Sequence, residues 1–269
     1  MTMLNGLDYF VAQEGNGAPV WLLLHGFMGS HADFAKIVPK LAGTVLMPDL
    51  LGHGATTSHA AAERYQIEQQ VADLASLLTK RQVKQVNLLG YSMGGRLALA
   101  FALSHPELVH CLILESSSPG LATETERQKR RQHDQILVER LQKNGLAQFV
   151  RAWTALPLFA SQRKLPTATQ QFIRQQRLQQ NPAGLALSLQ QMGTGSQPNY
   201  WPALANLELP VHLIVGAADA KFQATAEKML AKLPNASRTV IANAGHNVHL
   251  EQPAAYLAAV NQFVQREDS

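Results

Sequence analysis

Short apolar runs alternate with helical segments in two stretches of this chain, between residues 19 and 114 and again after residue 210. The apolar runs predict strands at 20–24, 44–47, 86–89, 112–114, 211–215 and 238–241. Apolar periodicity, or an Ala- and Leu-rich composition, predicts helices at 65–80, 94–104 and 254–265. Apolar strands separated by helices are typical of a parallel sheet with crossover helices, so the pattern predicts an α/β fold.

The segment from residue 121 to residue 199 has a different pattern. It has no β-branched run, it is rich in Gln, Arg, Ala and Leu, and it is divided by Pro157, Pro166 and Pro182. This composition predicts several helices inserted as one unit. We therefore expect a core formed by residues 1–120 and 200–269, with residues 121–199 as a helical cap.

Positive charge is concentrated in the same segment. Eleven Lys and Arg residues and four Asp and Glu residues lie between residues 121 and 200, so this segment carries +7 although the whole chain carries +4. A basic segment can bind nucleic acid, a membrane surface or a small polyanion, or it can be a solvated helical face. Few aromatic residues lie among these cations, which argues against a surface that stacks nucleic-acid bases.

The composition excludes several classes of protein. A chain of 269 residues with 46% hydrophobic and 16% charged residues can bury a large core and is typical of a globular protein. No apolar run reaches the roughly 18 residues that span a bilayer, and the N-terminus lacks the pattern of a secretory signal, so we expect a soluble cytoplasmic protein. The single cysteine, Cys111, opens an apolar run and is interpreted as a buried strand thiol, without disulfide or metal chemistry.

The sequence Gly90-Tyr91-Ser92-Met93-Gly94 follows one predicted strand and precedes a predicted helix. A G-x-S-x-G motif in this context is typical of a nucleophile elbow, in which two glycines permit a sharp turn that exposes the serine hydroxyl at a helix N-terminus. A serine hydroxyl is inert at neutral pH unless a neighbouring base takes its proton. The motif therefore requires a histidine and an acid elsewhere in the chain.

Asp219 and His246 meet this requirement, because each follows a predicted strand and the chain order is Ser92, Asp219, His246. In this arrangement Asp219 would fix the tautomer of His246 and stabilise its imidazolium form. Two alternatives remain open at this point. Glu115, also at a strand end, could be the acid, and His249 could be the base.

The loop His25-Gly26-Phe27 directly follows the first predicted strand. Such a loop can aim the backbone N–H of Phe27 at the same point as the N–H of Met93, which provides two donors for a developing oxyanion. Asp49 and His53 end another predicted strand. We interpret them as residues that order a loop, with a chemical role as the alternative.

Together these features resemble the α/β-hydrolase superfamily over essentially the whole chain, with residues 121–199 in the position of the helical cap. The superfamily fold does not specify a reaction. The chain further resembles one family within it, the menaquinone-pathway enzyme 2-succinyl-6-hydroxy-2,4-cyclohexadiene-1-carboxylate synthase. The stretches that carry this resemblance are Leu24-His25-Gly26-Phe27-Met28-Gly29-Ser30, Gly90-Tyr91-Ser92-Met93-Gly94-Gly95-Arg96, Ser118-Pro119-Gly120-Leu121, Glu126-Arg127 with Arg130 and Asp134, Trp153 with Pro157-Leu158-Phe159, Arg177, Met192-Gly193-Thr194-Gly195, Asp219-Ala220-Lys221-Phe222 and Ala244-Gly245-His246-Asn247.

The resemblance implies a lyase that eliminates pyruvate from 2-succinyl-5-enolpyruvyl-6-hydroxy-3-cyclohexene-1-carboxylate. It implies that Ser92, primed by His246 and Asp219, is the base. The substrate carries three carboxylates, which the planar fork of arginine binds through paired hydrogen bonds. By the resemblance, the substrate-binding residues are Tyr91, Arg96, Arg130, Trp153, Phe159 and Arg177.

Other functions would use parts of the same set. A carboxylesterase or thioesterase for small acyl substrates would employ the same triad through an acyl-serine, but an arginine-rich cap does not suit neutral acyl chains. A receptor or a nucleic-acid binder would not need an intact triad. No cofactor or metal is expected, because the chain has no phosphate-binding glycine loop and no H-E-x-x-H motif. We expect a small tricarboxylate substrate as the partner, without nucleic acid or membrane, and a monomer or weak homo-oligomer.

Overall fold

A seven-stranded sheet forms the centre of the molecule in a computed structural model that describes residues 1–267. A separate two-stranded hairpin, β1 with β2, precedes it. The strands of the described residues are β1 (Thr2–Leu4), β2 (Leu7–Tyr9), β3 (Val11–Glu14), β4 (Val20–Leu24), β5 (Thr44–Pro48), β6 (Val86–Tyr91), β7 (Val109–Glu115), β8 (Val211–Gly216) and β9 (Ala236–Ile241).

The strand order in the large sheet is β3-β5-β4-β6-β7-β8-β9. Strand β3 is antiparallel to β5, and all other neighbours are parallel. This arrangement confirms the predicted α/β fold and all six predicted strands. Strands β1, β2 and β3 were not predicted, because each has only three or four residues, too few for a periodic signal. Asn5-Gly6, with φ of 44° and 86°, is the turn signal that could have revealed the hairpin.

Helices cover the sheet and fill the segment between β7 and β8. The predicted helices are found within two residues of their expected bounds, whereas the helix that follows β8 was not predicted. The α-helices of the described residues are α1 (Ile67–Lys80), α2 (Met93–Ser104), α3 (Glu124–Thr154), α4 (Thr167–Leu178), α5 (Pro182–Met192), α6 (Ala220–Leu230), α7 (Val248–Glu251) and α8 (Pro253–Glu267).

Successive residues of the central strands pack on opposite faces of the sheet, as the alternation of a strand requires. In β4, Leu22 and Leu24 join the core that includes α1 and α2, whereas Trp21 and Leu23 join the core that includes α8. Both faces are therefore buried, which explains why this strand is apolar throughout. Cys111 is fully buried within β7, as expected.

Helices α3, α4 and α5 occupy the segment from residue 124 to residue 192. Thr123 begins α3 with a capping box, and Gly145, with φ of 75°, breaks the helix. Buried residues of α3 and α5 pack together in a separate apolar cluster that also includes Met28 of the loop after β4. No helix within residues 1–267 is long and apolar enough to cross a membrane.

Candidate active site

Ser92 lies at a sharp turn between the central strand β6 and helix α2. Its backbone has φ of 52° and ψ of −104°, a conformation that L-residues rarely adopt. A Cβ on Gly94 would overlap the carbonyl oxygen of Leu24, and a Cβ on Gly90 would overlap the backbone of Gly94 and Gly95. The two glycines of the motif therefore permit the close approach of strand and helix that exposes the Ser92 hydroxyl.

The side chains of Ser92, His246 and Asp219 form a hydrogen-bonded chain. His246 Nε2 lies 3.0 Å from Ser92 Oγ, and His246 Nδ1 lies 2.7 Å from Asp219 Oδ2. The second carboxylate oxygen of Asp219 accepts from the backbone N–H of Phe222 and caps α6, which fixes the carboxylate. An Nδ1–H that donates to Asp219 leaves Nε2 free to accept the Ser92 proton, the geometry that serine activation requires.

The two alternative residues from the sequence analysis pair with each other instead. Glu115 Oε2 lies 2.7 Å from His249 Nδ1, and both side chains are fully buried. Glu115 Oε1 also accepts from the backbone N–H groups of Val248, at 2.6 Å, and His249, at 3.1 Å. The Glu115 carboxylate therefore holds the segment after His246, and its contact with Ser92 is through the backbone, where the Ser92 N–H donates to the Glu115 carbonyl oxygen at 2.9 Å. The Ser92 hydroxyl pairs with His246.

A second buried carboxylate, Glu251, holds the same loop. Its oxygens accept from the N–H groups of Gly245, at 2.7 Å, and Asn247, at 3.3 Å, which are the two residues that flank His246. The rings of Tyr91 and Phe222 pack against His246, with centroids 5.5 and 4.6 Å away. Glu251 was not predicted as a site residue, because nothing in its spacing from His246 distinguishes it from a surface residue.

Met93 and Phe27 lie where backbone donors to an oxyanion are expected. Met93 is the first residue of α2, so its N–H has no acceptor within the helix. Phe27 follows β4, the neighbour of β6, and both residues line the same cavity as Ser92. The structure therefore brings the two predicted residues to one place beside the serine.

A cavity of about 830 Å³ opens in front of Ser92 and His246, between the sheet edge and the helical segment. Of the predicted substrate-binding residues, Arg96, Arg130 and Trp153 line it. Arg96 Nη1 donates to the carbonyl oxygen of Met192 at 2.7 Å and to Gln197 Oε1 at 2.5 Å. Arg130 Nε donates to Asp134 Oδ1 at 2.8 Å.

Arg96 and Arg130 are close enough to repel each other. Burial, followed by the charge of Arg130, lowers the pKa of Arg96 to about 10, so Arg96 is still protonated at neutral pH. Burial also raises the pKa of Asp134, against the opposite effect of Arg130. The Asp134 carboxylate, which pairs with Arg130, offsets part of this repulsion, since its charge raises the pKa of Arg96.

The remaining predicted residues line a second pocket. Arg177, Tyr91 and Phe159 line a small pocket of about 60 Å³ that also reaches Ser92 and His246. The Arg177 guanidinium lies 4.7 Å from the centroid of the Phe159 ring. Burial, followed by the Glu115 carboxylate, raises the pKa of Tyr91 well above its ordinary value, so its phenol is protonated at neutral pH. The six predicted residues thus divide between two pockets that share Trp153.

Asp49 and His53 order a loop, as interpreted from the sequence. Asp49 accepts from the N–H groups of His31, at 2.7 Å, and Ala55, at 2.8 Å, and His53 Nδ1 lies 3.2 Å from the carbonyl oxygen of Leu51. Within residues 1–267 there is no group of three or more His, Cys, Asp or Glu side chains arranged to hold a metal ion.

Comparisons with known proteins agree with this geometry. Residues 19–253 match the model of the alpha/beta hydrolase fold family. A protein of Enterobacter sp. (strain 638) named 2-succinyl-6-hydroxy-2,4-cyclohexadiene-1-carboxylate synthase is 34% identical over 93% of each chain. A Bacillus subtilis (strain 168) protein that bears this name provisionally is 41% identical over 98% of this chain and 97% of its own length. The chain belongs to the 2-succinyl-6-hydroxy-2,4-cyclohexadiene-1-carboxylate synthase family of α/β hydrolases.

Solved structures of similar proteins extend the comparison. MenH from S. aureus has a TM-score of 0.92 and 34% identity, covering 96% of this chain and 99% of its own. A thermophilic esterase from Thermogutta terrifontis, solved with malate bound, has a TM-score of 0.85 and 26% identity, covering 98% of this chain and 95% of its own. The family therefore includes this chain, and an esterase shares its fold closely.

Proposed function

We propose that this chain is a 2-succinyl-6-hydroxy-2,4-cyclohexadiene-1-carboxylate synthase, a lyase that eliminates pyruvate from 2-succinyl-5-enolpyruvyl-6-hydroxy-3-cyclohexene-1-carboxylate. Family membership supports the reaction class. One observation from the structure carries the proposal. Ser92 and His246, the two members of the hydrogen-bonded triad that line the large cavity, share it with the guanidinium groups of Arg96 and Arg130.

The proposed elimination begins with removal of the ring proton at C2, next to the succinyl ketone. His246 accepts the hydroxyl proton of Ser92 while the Ser92 oxygen takes the C2 proton. The C2–C3 double bond then forms, the C3–C4 double bond moves to C4–C5, and the C5–O bond breaks. The enolate of pyruvate leaves and takes up a proton, so the protons balance and no acyl-serine is formed.

Negative charge develops on the succinyl ketone oxygen when the C2 proton is removed. The N–H groups of Phe27 and Met93 are the proposed donors to this oxygen, and losing one such donor typically costs ~3 kcal/mol of transition-state stabilisation. An enolate oxygen needs the same donors as the oxyanion of acyl transfer. A site with hydrolase ancestry can therefore serve an elimination.

The carboxylates of the substrate are the proposed ligands of the arginines. Arg96 and Arg130 would bind one carboxylate in the large cavity, and Arg177 would bind another from the small pocket that also reaches Ser92 and His246. Trp153, which lines both pockets, together with Tyr91 and Phe159, would shape the space between them. Arginines in both pockets suit a substrate with several carboxylates, because such a molecule can reach both pockets while its ring lies beside Ser92.

The test follows pyruvate release from freshly generated substrate, with and without the protein. We expect saturable release that Ser92→Ala abolishes. A Ser196→Ala variant is the matched control, because the Ser196 hydroxyl donates to the carbonyl oxygen of Gln190 and Ser196 does not line the cavity. Release no faster than the blank, or a Ser92→Ala variant with near wild-type elimination, would contradict the proposal.

A second candidate is a carboxylesterase that uses the same triad through an acyl-serine. The structural similarity to the Thermogutta terrifontis esterase supports this candidate. Turnover of simple nitrophenyl esters, with a burst of nitrophenol and no pyruvate release from the enolpyruvyl substrate, would make this candidate the better account.

We also propose that residues 121–199 act as the cap over the site, with residues 1–120 and 200–269 as the core. The arginines that line the two pockets come from both the core and the cap. Arg96 lies on α2 of the core, and Arg130 and Arg177 lie on α3 and α4 of the cap. The cytoplasmic location and the monomeric or weakly oligomeric state stay predictions, which cell fractionation and light scattering test.

A further inference from the structure

One wall of the large cavity is formed by α6 and the turn that follows it. Lys221, Thr225, Lys228 and Lys232 line this wall. Steps of four, three and four residues place them on one side of the helix. We call Lys221, Lys228 and Lys232 the lysine face. The spacing was present in the sequence, but α6 itself was not predicted, so the face was missed.

One neighbouring carboxylate interacts with the lysine face, since the pKa of Glu126 is lowered by hydrogen bonds from Thr123 and, to a smaller extent, by the charge of Lys228. Within residues 1–267, no ion pair shorter than 4.0 Å involves any of the three lysines, and all three are exposed. Among the described residues that line the large cavity, Glu126 is the one with a carboxylate side chain. Its oxygen accepts from the N–H of Thr123, at 3.0 Å, and from Thr123 Oγ1, at 2.9 Å, so it caps α3. The lining residues thus include five Lys and Arg side chains against one carboxylate.

The lysines differ from the arginines of the same cavity in what they can do. Arg96 and Arg130 are held by hydrogen bonds to Met192, Gln197 and Asp134, which suits them to fix a bound carboxylate. Lysine ammonium groups are hydrated point charges on flexible stems, and they attract an anion without imposing one geometry. Clefts lined by one sign of charge raise the local concentration of ligands of the opposite sign.

Lys221 connects the lysine face to the reacting groups. Its ammonium lies 5.4 Å from the centroid of the Phe222 ring, and that ring packs 4.6 Å from His246. Lys228 and Lys232 continue the row along the same cavity wall, two and three helical turns away from Lys221. A row of three separate positive charges therefore extends from Lys232 towards Phe222, whose ring packs against His246.

We propose that the lysine face is an anion guide, which draws a polycarboxylate substrate into the cavity before Arg96 and Arg130 bind it. This inference rests on the proposed function for the identity of the substrate, but not for the attraction of anions. Loss of the lysine face should therefore slow the binding of substrate and leave the rate of the chemical step unchanged.

The first arm of the test measures the attraction directly with iodide. Two of the three tryptophans, Trp153 and Trp201, line the cavity, and the third, Trp21, is only 2% exposed. Quenching of tryptophan fluorescence therefore reports on the cavity. At constant low ionic strength, we expect iodide to quench a Lys221→Gln/Lys228→Gln/Lys232→Gln variant at least about twofold less than wild type, with unchanged quenching by neutral acrylamide.

The matched control is a Lys40→Gln/Lys84→Gln/Lys143→Gln variant, which loses the same charge at exposed lysines outside the cavity. We expect its iodide quenching to equal that of wild type. Equal quenching of all three proteins, or an equal loss in both variants, would overturn the anion guide.

The second arm measures pyruvate release as a function of salt. We expect kcat/KM of the lysine-face variant to fall about five- to tenfold at low ionic strength and to approach the wild-type value at about 0.5 M salt, with kcat unchanged. A salt-independent loss, or a loss in kcat, would overturn the inference. If the wild type releases no pyruvate, the proposed function fails, and the iodide arm alone decides whether the lysine face attracts anions.

Discussion

The guanidinium of Arg96, one turn after Ser92, donates a 2.7 Å hydrogen bond to the carbonyl oxygen of Met192, the last residue of α5. Arg96 thus connects the helix that begins at the serine with the helical segment above the cavity. Both hydrogens of its Nη1 are used, by Met192 and Gln197, which leaves Nε and Nη2 to bind an anion. Arg96 therefore stabilises the contact between the helical segment and α2, and its proposed second role is to bind substrate.

Because Arg96 has both a structural contact and a proposed binding role, the Arg96→Met substitution should affect stability and activity. The variant leaves the oxygens of Met192 and Gln197 without their donor, so we expect the free energy of unfolding to fall by about 1–3 kcal/mol. We also expect kcat/KM for pyruvate release to fall at least about tenfold. Urea unfolding and steady-state kinetics measure the two effects. A loss of stability with unchanged kinetics would limit Arg96 to a structural role.

Replacing Arg130 with lysine tests the arginine geometry at constant charge. A lysine cannot present the planar fork to a carboxylate, so we expect Arg130→Lys to lower kcat/KM at least about tenfold, or ~1.4 kcal/mol. Arg140→Lys is the control, because Arg140 is exposed on the same helix and does not line the cavity. Indistinguishable kinetics of the two variants would mean that Arg130 is a solvated residue of α3 without a role in binding.

The parallel strands were predictable because both faces of the sheet are covered, so every residue of β4 from Trp21 to Leu24 is buried and apolar. The triad was predictable for a similar reason. The turn at Ser92 demands glycines at fixed positions, and the carboxyl ends of parallel strands meet at one edge of the sheet, which brings Asp219 and His246 together.

The sequence alone could not decide between the two acid–histidine pairs, since Glu115 and Asp219 both follow strands that end at that edge. Three-dimensional placement separates them, because Glu115 reaches His249 and Asp219 reaches His246. The sequence also could not predict that Arg96 and Arg177 line two different pockets. It depends on how α3, α4 and α5 pack over the sheet, and periodicity predicts helices but not their arrangement.

Removal of the Glu115 carboxylate tests its role in holding the His246 loop. Glu115→Ala leaves three buried donors of Val248 and His249 without an acceptor, so we expect the free energy of unfolding to fall by roughly 3–5 kcal/mol. Glu115→Gln keeps acceptor oxygen at this position and should lose less. Thermal unfolding of the two variants measures the difference. Equal stability of wild type and Glu115→Ala would contradict this role.

The strained backbone of Ser92 predicts an unusual effect of glycine. A non-glycine residue with φ of 52° and ψ of −104° carries strain of order 1–3 kcal/mol, which glycine relieves and alanine does not. We expect both Ser92→Gly and Ser92→Ala to lose pyruvate release, but Ser92→Gly to be more stable than Ser92→Ala by about 1 kcal/mol. Urea unfolding compares them, and a less stable glycine variant would show that the turn stores no strain.

Buried His212 predicts how stability depends on pH. Burial, followed by the charge of Arg266, lowers the pKa of His212 from 6.5 to about 4. Its contribution to stability is therefore complete above pH 6.5 and is lost as the pH falls towards 4, because the unfolded chain binds the proton first. For this one group the loss between pH 7 and pH 5 is about 2 kcal/mol. Burial also lowers the pKa of His25 and His53, which adds to the loss, whereas the raised pKa values of His31, Asp33, Asp134 and Glu251 oppose it. We expect His212→Gln to lose about 2 kcal/mol less than wild type over the same interval in urea unfolding, whatever its stability at pH 7. Equal losses in the two proteins would mean that His212 is protonated in the folded state at pH 5.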